Sequence, residues 1–279
     1  MQIVRESMAL REAIRAMRGN GDRLALVPTM GALHNGHLAL VADARRRADR
    51  VAASIFVNPT QFNDPADLER YPRNEAEDIA KLEEAGCDLV WMPSVRDIYP
   101  QGFATMVSVA GISDRWEGEH RPGHFDGVAT VVSKLLIAAM PDVAIFGEKD
   151  FQQLAVIRRM TMDLGLPVEI IGHETVRDAD GLAMSSRNAL LSAEERHRAP
   201  KLFEALSMAS RRIAAGENVG TTLVEAKAAI AQAGFGPVDY LAYVDSETLE
   251  PLEGRRPGGR LIAAAFLGKV RLIDNVRVD

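Results

Sequence analysis

Between Leu24 and Val176, short and nearly unbroken apolar runs alternate with segments of helical spacing, and few folds accept that alternation. Leu24–Val27, Val51–Val57, Asp88–Met92, Val143–Phe146 and Val168–Ile171 read as strands. A run that is apolar at consecutive positions fits a strand covered on both faces. Helices are predicted between the runs. Leu38–Ala44 follows the first, and Glu75–Ala85 has Asn74 as its candidate N-cap and Gly86 as its stop. Val128–Met140 ends before Pro141, and Gln152–Leu164 is closed by Gly165. This rhythm predicts a parallel sheet with helices on both faces.

From about Leu182 the pattern changes. Ala193–Ala215 reads as helix, with Pro200 starting or kinking a segment, and Thr221–Ala233 is a second helical run ended by Gly234. Val238–Val244, Arg260–Leu267 and Lys269–Asn275 read as strands joined by turns such as Pro257-Gly258-Gly259. The expected fold class is α/β: a Rossmann-like parallel sheet in residues 1–181 and a smaller C-terminal α+β domain in residues 182–279. Several function classes are disfavoured. A net charge of −6 argues against a dedicated nucleic-acid binder. No apolar stretch reaches the roughly 18 residues of a membrane span. Met1–Met17 carries Arg5, Glu6, Arg11, Glu12 and Arg15 where a secretion signal has its apolar core. Cys87 is the single cysteine, so neither an internal disulfide nor a multi-cysteine zinc site is expected, and a buried thiol in a reducing, cytoplasmic setting is.

The segment Pro28–His37 sits where the first strand hands over to its helix and holds Gly31, Gly36, His34 and His37. Free N–H groups and the positive end of the helix dipole make such a junction a place to hold phosphate. In open parallel sheets ligands bind beyond the carboxyl ends of the strands. The residues expected there are Thr29, Met30, His34 and His37 after the first strand, Asn58–Phe62 after the second, Gly147–Asp150 with Gln152 and Gln153 after Phe146, and His173–Thr175 after Ile171, with Met184–Asn188 a little later. Each has a plainer explanation alone: Asn58-Pro59 as a turn, Lys149 as part of a solvated charge cluster, Ser185-Ser186 as an N-cap. Together they make a polyphosphate clamp suited to nucleotidyl transfer, with Gln61 and Gln153 suited to a small hydroxylated substrate. Neither a dinucleotide-binding nor a P-loop glycine pattern is present. Metal ligation by the histidine pair lacks an obvious third ligand.

His34-Asn35-Gly36-His37 resembles the HIGH signature of the nucleotidyltransferase superfamily, and Met184–Asn188 resembles its second signature, the counterpart of KMSKS. With Phe56–Phe62, Tyr71-Pro72-Arg73, Arg121–Phe125, Gly147–Gln153 and Asp180–Asn188 added, nearly the whole chain resembles the pantothenate synthetase (pantoate–β-alanine ligase) family. The resemblance implies an ATP-dependent ligase acting in two steps. The carboxylate of (R)-pantoate attacks the α-phosphorus of ATP, giving pantoyl adenylate and pyrophosphate; the amine of β-alanine then displaces AMP.

The resemblance also implies site roles. Met30, Gly31, Ala32, Leu33, His34, Asn35, Gly36 and His37 would line the ATP site, with His37 a proton donor and His34 a phosphate contact beside it. Gly147, Glu148, Lys149 and Asp150 match an ATP-binding segment with Lys149 on phosphate, and Val176 a nucleotide contact. Met184, Ser185, Ser186 and Arg187 would close over the triphosphate, the C-terminal domain acting as a lid. Gln61 would touch both pantoate and β-alanine, and Gln153 pantoate. Mg²⁺ would bridge phosphate oxygens, with Glu77 or Asp78 as the carboxylate contact and helix-surface charge the alternative for both. A homodimer is implied as well. Two alternatives remain open at this point: a nucleotidyltransferase that stops after transfer, and a non-catalytic nucleotide-binding regulator. A tRNA synthetase is disfavoured by acidity and by the lack of an obvious tRNA-binding domain.

Overall fold

A computed structural model describes residues 1–19 and 21–279. Nine strands are seen in the described residues: β1 Gln2–Val4, β2 Leu24–Thr29, β3 Arg50–Ile55, β4 Leu89–Trp91, β5 Val143–Gly147, β6 Glu169–His173, β7 Phe235–Asp245, β8 Gly259–Leu267 and β9 Val270–Val278. The helices are α1 Ser7–Met17, α2 Asn35–Arg47, α3 Pro65–Arg70, α4 Glu75–Glu84, α5 Val95–Ile98, α6 Glu117–His120, α7 His124–Ala139, α8 Phe151–Asp163, α9 Ala193–Arg198, α10 Lys201–Ala214 and α11 Val219–Gln232. Strands β1–β6 form one parallel sheet in the order β1-β4-β3-β2-β5-β6. The apolar runs divide by alternation. Leu24 and Leu26 join α1, α7 and α8 on one face, while Ala25 and Val27 join α2 and α4 on the other. The sheet is thus covered on both sides, as the unbroken apolar runs predict. Chain order reverses between β2 and β5, so a crevice opens between their carboxyl ends.

Strands β7–β9 form a separate antiparallel sheet whose core is shared with α10 and α11. It docks on the first unit through Phe151 and Ala155 of α8, packed against Ala242, Val244, Leu249 and Ile262. Beside this apolar contact, Glu148 takes Arg260 and Arg277, each at 2.8 Å, and Asn275 donates to the carbonyls of Glu148 and Lys149. Several boundaries differ from expectation. Strand β3 stops at Ile55, because the Asn58-Pro59 turn already redirects Phe56 and Val57. Helix α7 starts at His124, and α8 at Phe151. Asn74 is the N-cap residue of α4, as expected, but its side chain makes no capping bond; its amide donates to Glu77 instead. The edge strand β1 is three residues long and mostly exposed, which leaves no apolar run to find. Among the described residues, no helix is long and apolar enough to cross a membrane.

Candidate active site

Helix α2 begins at the β2 crevice and is capped by its own two histidines. The Gly36 N–H donates to His34 Nδ1 at 3.1 Å, and the His34 N–H donates to His37 Nδ1 at 3.4 Å. Both Nδ1 atoms are therefore acceptors, which puts each ring proton on Nε2. The rings lie 4.1 Å apart, centre to centre. Burial, reinforced by Lys149, lowers His34 to about 4. Burial, then His34 and Lys149, lower His37 to about 3. At neutral pH the site thus holds two neutral imidazoles, each with an Nε2–H donor. A Cβ at Gly36 would come within 2.8 Å of the His34 ring, so a larger residue there displaces that ring.

The turn before α2 is clamped from behind. Asp78 of α4 accepts the N–H of Ala32 at 2.8 Å and that of Leu33 at 2.7 Å, and Lys81 donates to the Leu33 carbonyl at 2.7 Å. Gly31 has φ +81°, and a Cβ there would meet Asp78 Oδ2 at 2.9 Å. These contacts place the two expected metal contacts outside the cleft lining. Both Asp78 oxygens are spent on backbone N–H groups, Glu77 pairs with Lys81 at 2.6 Å, and neither lines the cleft. Gly31, Ala32 and Leu33 support the site without lining it, and Asn35 is exposed away from it. Glu148 is likewise turned away, onto Arg260 and Arg277, so its side chain serves the docking of the second sheet.

The remaining predicted residues meet around one cleft. Met30, His34, Gly36, His37, Gln61, Gly147, Lys149, Asp150, Gln153, Val176 and Met184–Arg187 all line it. The Lys149 ammonium lies 3.8 Å from Asp150 Oδ2, beyond hydrogen-bond reach. Val176 and Met184 are joined by a backbone hydrogen bond of 2.9 Å, which brings the Ser185–Arg187 segment beside β6. Arg187 pairs with Asp67 of α3 at 2.9 Å. At the other end, buried Asn58 donates to Gln61 Oε1 and to the Gly127 carbonyl, each at 3.1 Å, and Gln61 Nε2 approaches Met30 Sδ at 3.1 Å. The two adjacent glutamines of α8 part ways. Gln152 is buried on the carbonyls of Ile112 and Arg115, whereas Gln153 faces the cleft.

Two further cleft residues have no individual role in the sequence pattern. Arg121 donates to the Gln61 carbonyl at 3.0 Å, and His124 Nδ1 donates to the same oxygen at 2.8 Å. Burial, then the neighbouring Arg121 charge, lower His124 to about 4. The segment Arg121–Phe125 stands out as a motif, but Arg121 and His124 act through a backbone atom, which no side-chain pattern announces.

The match to a family model described as pantoate-beta-alanine ligase extends over residues 2–277. The chain belongs to the pantoate–β-alanine ligase family. A pantothenate synthetase of Rhizorhabdus wittichii is 56% identical, over 100% of this chain and 99% of that one. The crystal structure of pantothenate synthetase from Thermus thermophilus is 48% identical with a TM-score of 0.95, covering 100% of this chain and 99% of the other. That of a pantoate-beta-alanine ligase from Francisella tularensis, complexed with beta-gamma ATP and beta-alanine, is 35% identical with a TM-score of 0.82, covering 99% of this chain and 97% of the other. Membership of this ligase family disposes of the regulator and of the transferase that stops early.

Proposed function

We propose that the cleft carries out the family's reaction, the ATP-dependent condensation of (R)-pantoate with β-alanine to pantothenate, AMP and pyrophosphate. The observation that carries the residue assignments is the meeting of five chain-distant segments at the β2–β5 crevice. His34 and His37 present Nε2–H donors to the triphosphate, and Lys149, Ser185, Ser186 and Arg187 face it from the other side. Met30, Gly147 and Val176 are assigned to the nucleotide. Gln61 and Gln153 hold pantoate, with Gln61 also reaching β-alanine, because an amide both donates and accepts toward hydroxyl and carboxylate groups.

The first step needs no base, since pantoate is ionised at neutral pH. The enzyme's contribution is to align the carboxylate with the α-phosphorus and to offset charge as it shifts onto pyrophosphate. His37 enters as a neutral Nε2–H donor; the approach of a polyanion raises its proton affinity, so the ring can take up a proton from solvent and, as imidazolium, pass one to the departing phosphate. In the second step the β-alanine amine attacks the acyl carbon, the acyl–oxygen bond breaks, and AMP leaves. Among the described residues no group of three or more His, Cys, Asp or Glu is placed to hold a metal. Mg²⁺ would be carried in by the triphosphate and would supply charge neutralisation when bound.

Residues 1–181 are assigned to catalysis and residues 182–279 to a lid, in a cytoplasmic homodimer. Support for the lid is that Ser185–Arg187 reaches the cleft from the second unit's side, and Arg187 is held by Asp67 across it. The test is product analysis. Purified protein with ATP, Mg²⁺, pantoate and β-alanine forms pantothenate and AMP in equal amounts; ADP as the nucleotide product would refute the assignment.

A further inference from the structure

A continuous polar chain runs from the second sheet to the amide assigned to pantoate. Arg271 of β9 donates from Nε to Asp239 of β7 at 2.7 Å, and from Nη1 to both oxygens of Glu117 at 2.8 Å. Glu117 Oε1 also takes Arg121 at 3.1 Å, and Oε2 takes the Tyr240 hydroxyl at 3.1 Å. Arg121 then passes its other arm to the Gln61 carbonyl. Glu117 is buried and does not line the main cleft. We infer that Glu117 is a positioning residue, through which docking of the C-terminal sheet is transmitted by Arg121 to the orientation of Gln61.

Two features support this role over a purely structural one. A buried charge pair needs one partner for each charge, yet Glu117 gathers two guanidinium groups, one from each unit. Among the described residues Arg121 has no carboxylate partner except Glu117 at 3.1 Å, so loss of Glu117 leaves its guanidinium held only by the Gln61 carbonyl at 3.0 Å and by His124 Nε2 at 3.3 Å. The Gln61 backbone rests on the short turn Pro59–Gln61, where its carbonyl meets Arg121 and His124. The position of that carbonyl fixes where the amide side chain starts.

The inference rests on Gln61 contacting pantoate, and the experiment separates the two. Steady-state kinetics are measured for Glu117→Gln, Gln61→Ala and the double variant, corrected for folded fraction by circular dichroism. Glu117→Gln raises the pantoate KM on the order of 10-fold, as a sub-ångström misplacement does, while the ATP KM moves less than about 2-fold. In the Gln61→Ala background the same substitution adds no further rise, because the group it orients is gone. Arg271→Lys, which cannot span Asp239 and Glu117 together, shows the same split and decides the matter if Glu117→Gln folds poorly. Equal changes in both KM values, or full additivity with Gln61→Ala, overturn the positioning role. An unchanged pantoate KM in Gln61→Ala overturns the assignment of Gln61 itself.

Discussion

Asp78→Asn separates a backbone clamp from a metal ligand. In the structure both carboxylate oxygens are used on the N–H groups of Ala32 and Leu33, at 2.8 and 2.7 Å, and the residue is 2% exposed. Hydrogen bonds to a charged group contribute about 1.5–3 kcal/mol each. Asparagine keeps one acceptor but turns an NH₂ toward the other N–H, so the loss is one such bond plus an unsatisfied buried donor, about 2–4 kcal/mol together. For a chain of this size, each kcal/mol shifts the melting temperature by roughly 2–4 °C, which gives a drop of roughly 4–16 °C. The turn that launches α2 also loosens, so kcat falls as His34 and His37 lose their alignment. Thermal melting and a Mg²⁺ titration of the rate at saturating ATP are the two readouts. The clamp predicts a lower melting temperature with the half-saturating Mg²⁺ concentration unchanged. An unchanged melting temperature with a several-fold higher Mg²⁺ requirement refutes it.

Other perturbations test separate parts of the site. Lys149→Ala and His37→Ala each lower kcat by about 10²–10³ with the circular dichroism spectrum retained, as expected for removal of one strong electrostatic contact; near-native turnover in both removes the phosphate clamp. Gly127→Ala brings a Cβ within 2.5 Å of the Thr60 carbonyl and pushes on the turn that carries Gln61, so it destabilises by about 1–3 kcal/mol and raises the pantoate KM; kinetics like the parent's contradict that packing. Histidine burial predicts a pH response in stability. His37 at about 3 and His124 at about 4 bind protons less readily in the folded chain than at their unfolded value of 6.5. Stability is therefore full above pH 6.5 and is lost as pH falls toward those values, on the order of 1–2 kcal/mol per histidine between pH 7 and 5. Urea melts of His37→Gln and His124→Gln show a flatter profile across that window, and an unaltered slope counts against the buried neutral rings.

The parallel sheet was legible because strands covered on both faces leave consecutive apolar residues, and Leu24–Val27 is apolar at every position. The convergence of the strand-end residues followed from the same rule, since parallel strands put all their carboxyl ends on one rim. Less legible were residues whose side chains serve the backbone. Asp78 reads as helix-surface charge or metal ligand, and only the fold brings it under the Ala32–Leu33 turn, 45 to 46 positions away in sequence. Glu148 stands in a motif with Lys149, yet the 3-10 turn Glu148–Asp150 sends the two side chains to opposite environments. Arg121, His124 and Glu117 escaped a role because their partners lie on β9 and at the Gln61 carbonyl, contacts set by the docking of two sheets and not by local spacing.

Pantoate and the triphosphate are assigned to one crevice, where they react before the amine is needed. Isotope exchange between pyrophosphate and ATP reads that step alone. With Mg²⁺, ATP and labelled pyrophosphate, label enters ATP when pantoate is added and β-alanine is absent. Exchange that requires β-alanine, or none at all from folded protein, rules out an adenylate formed before the amine binds.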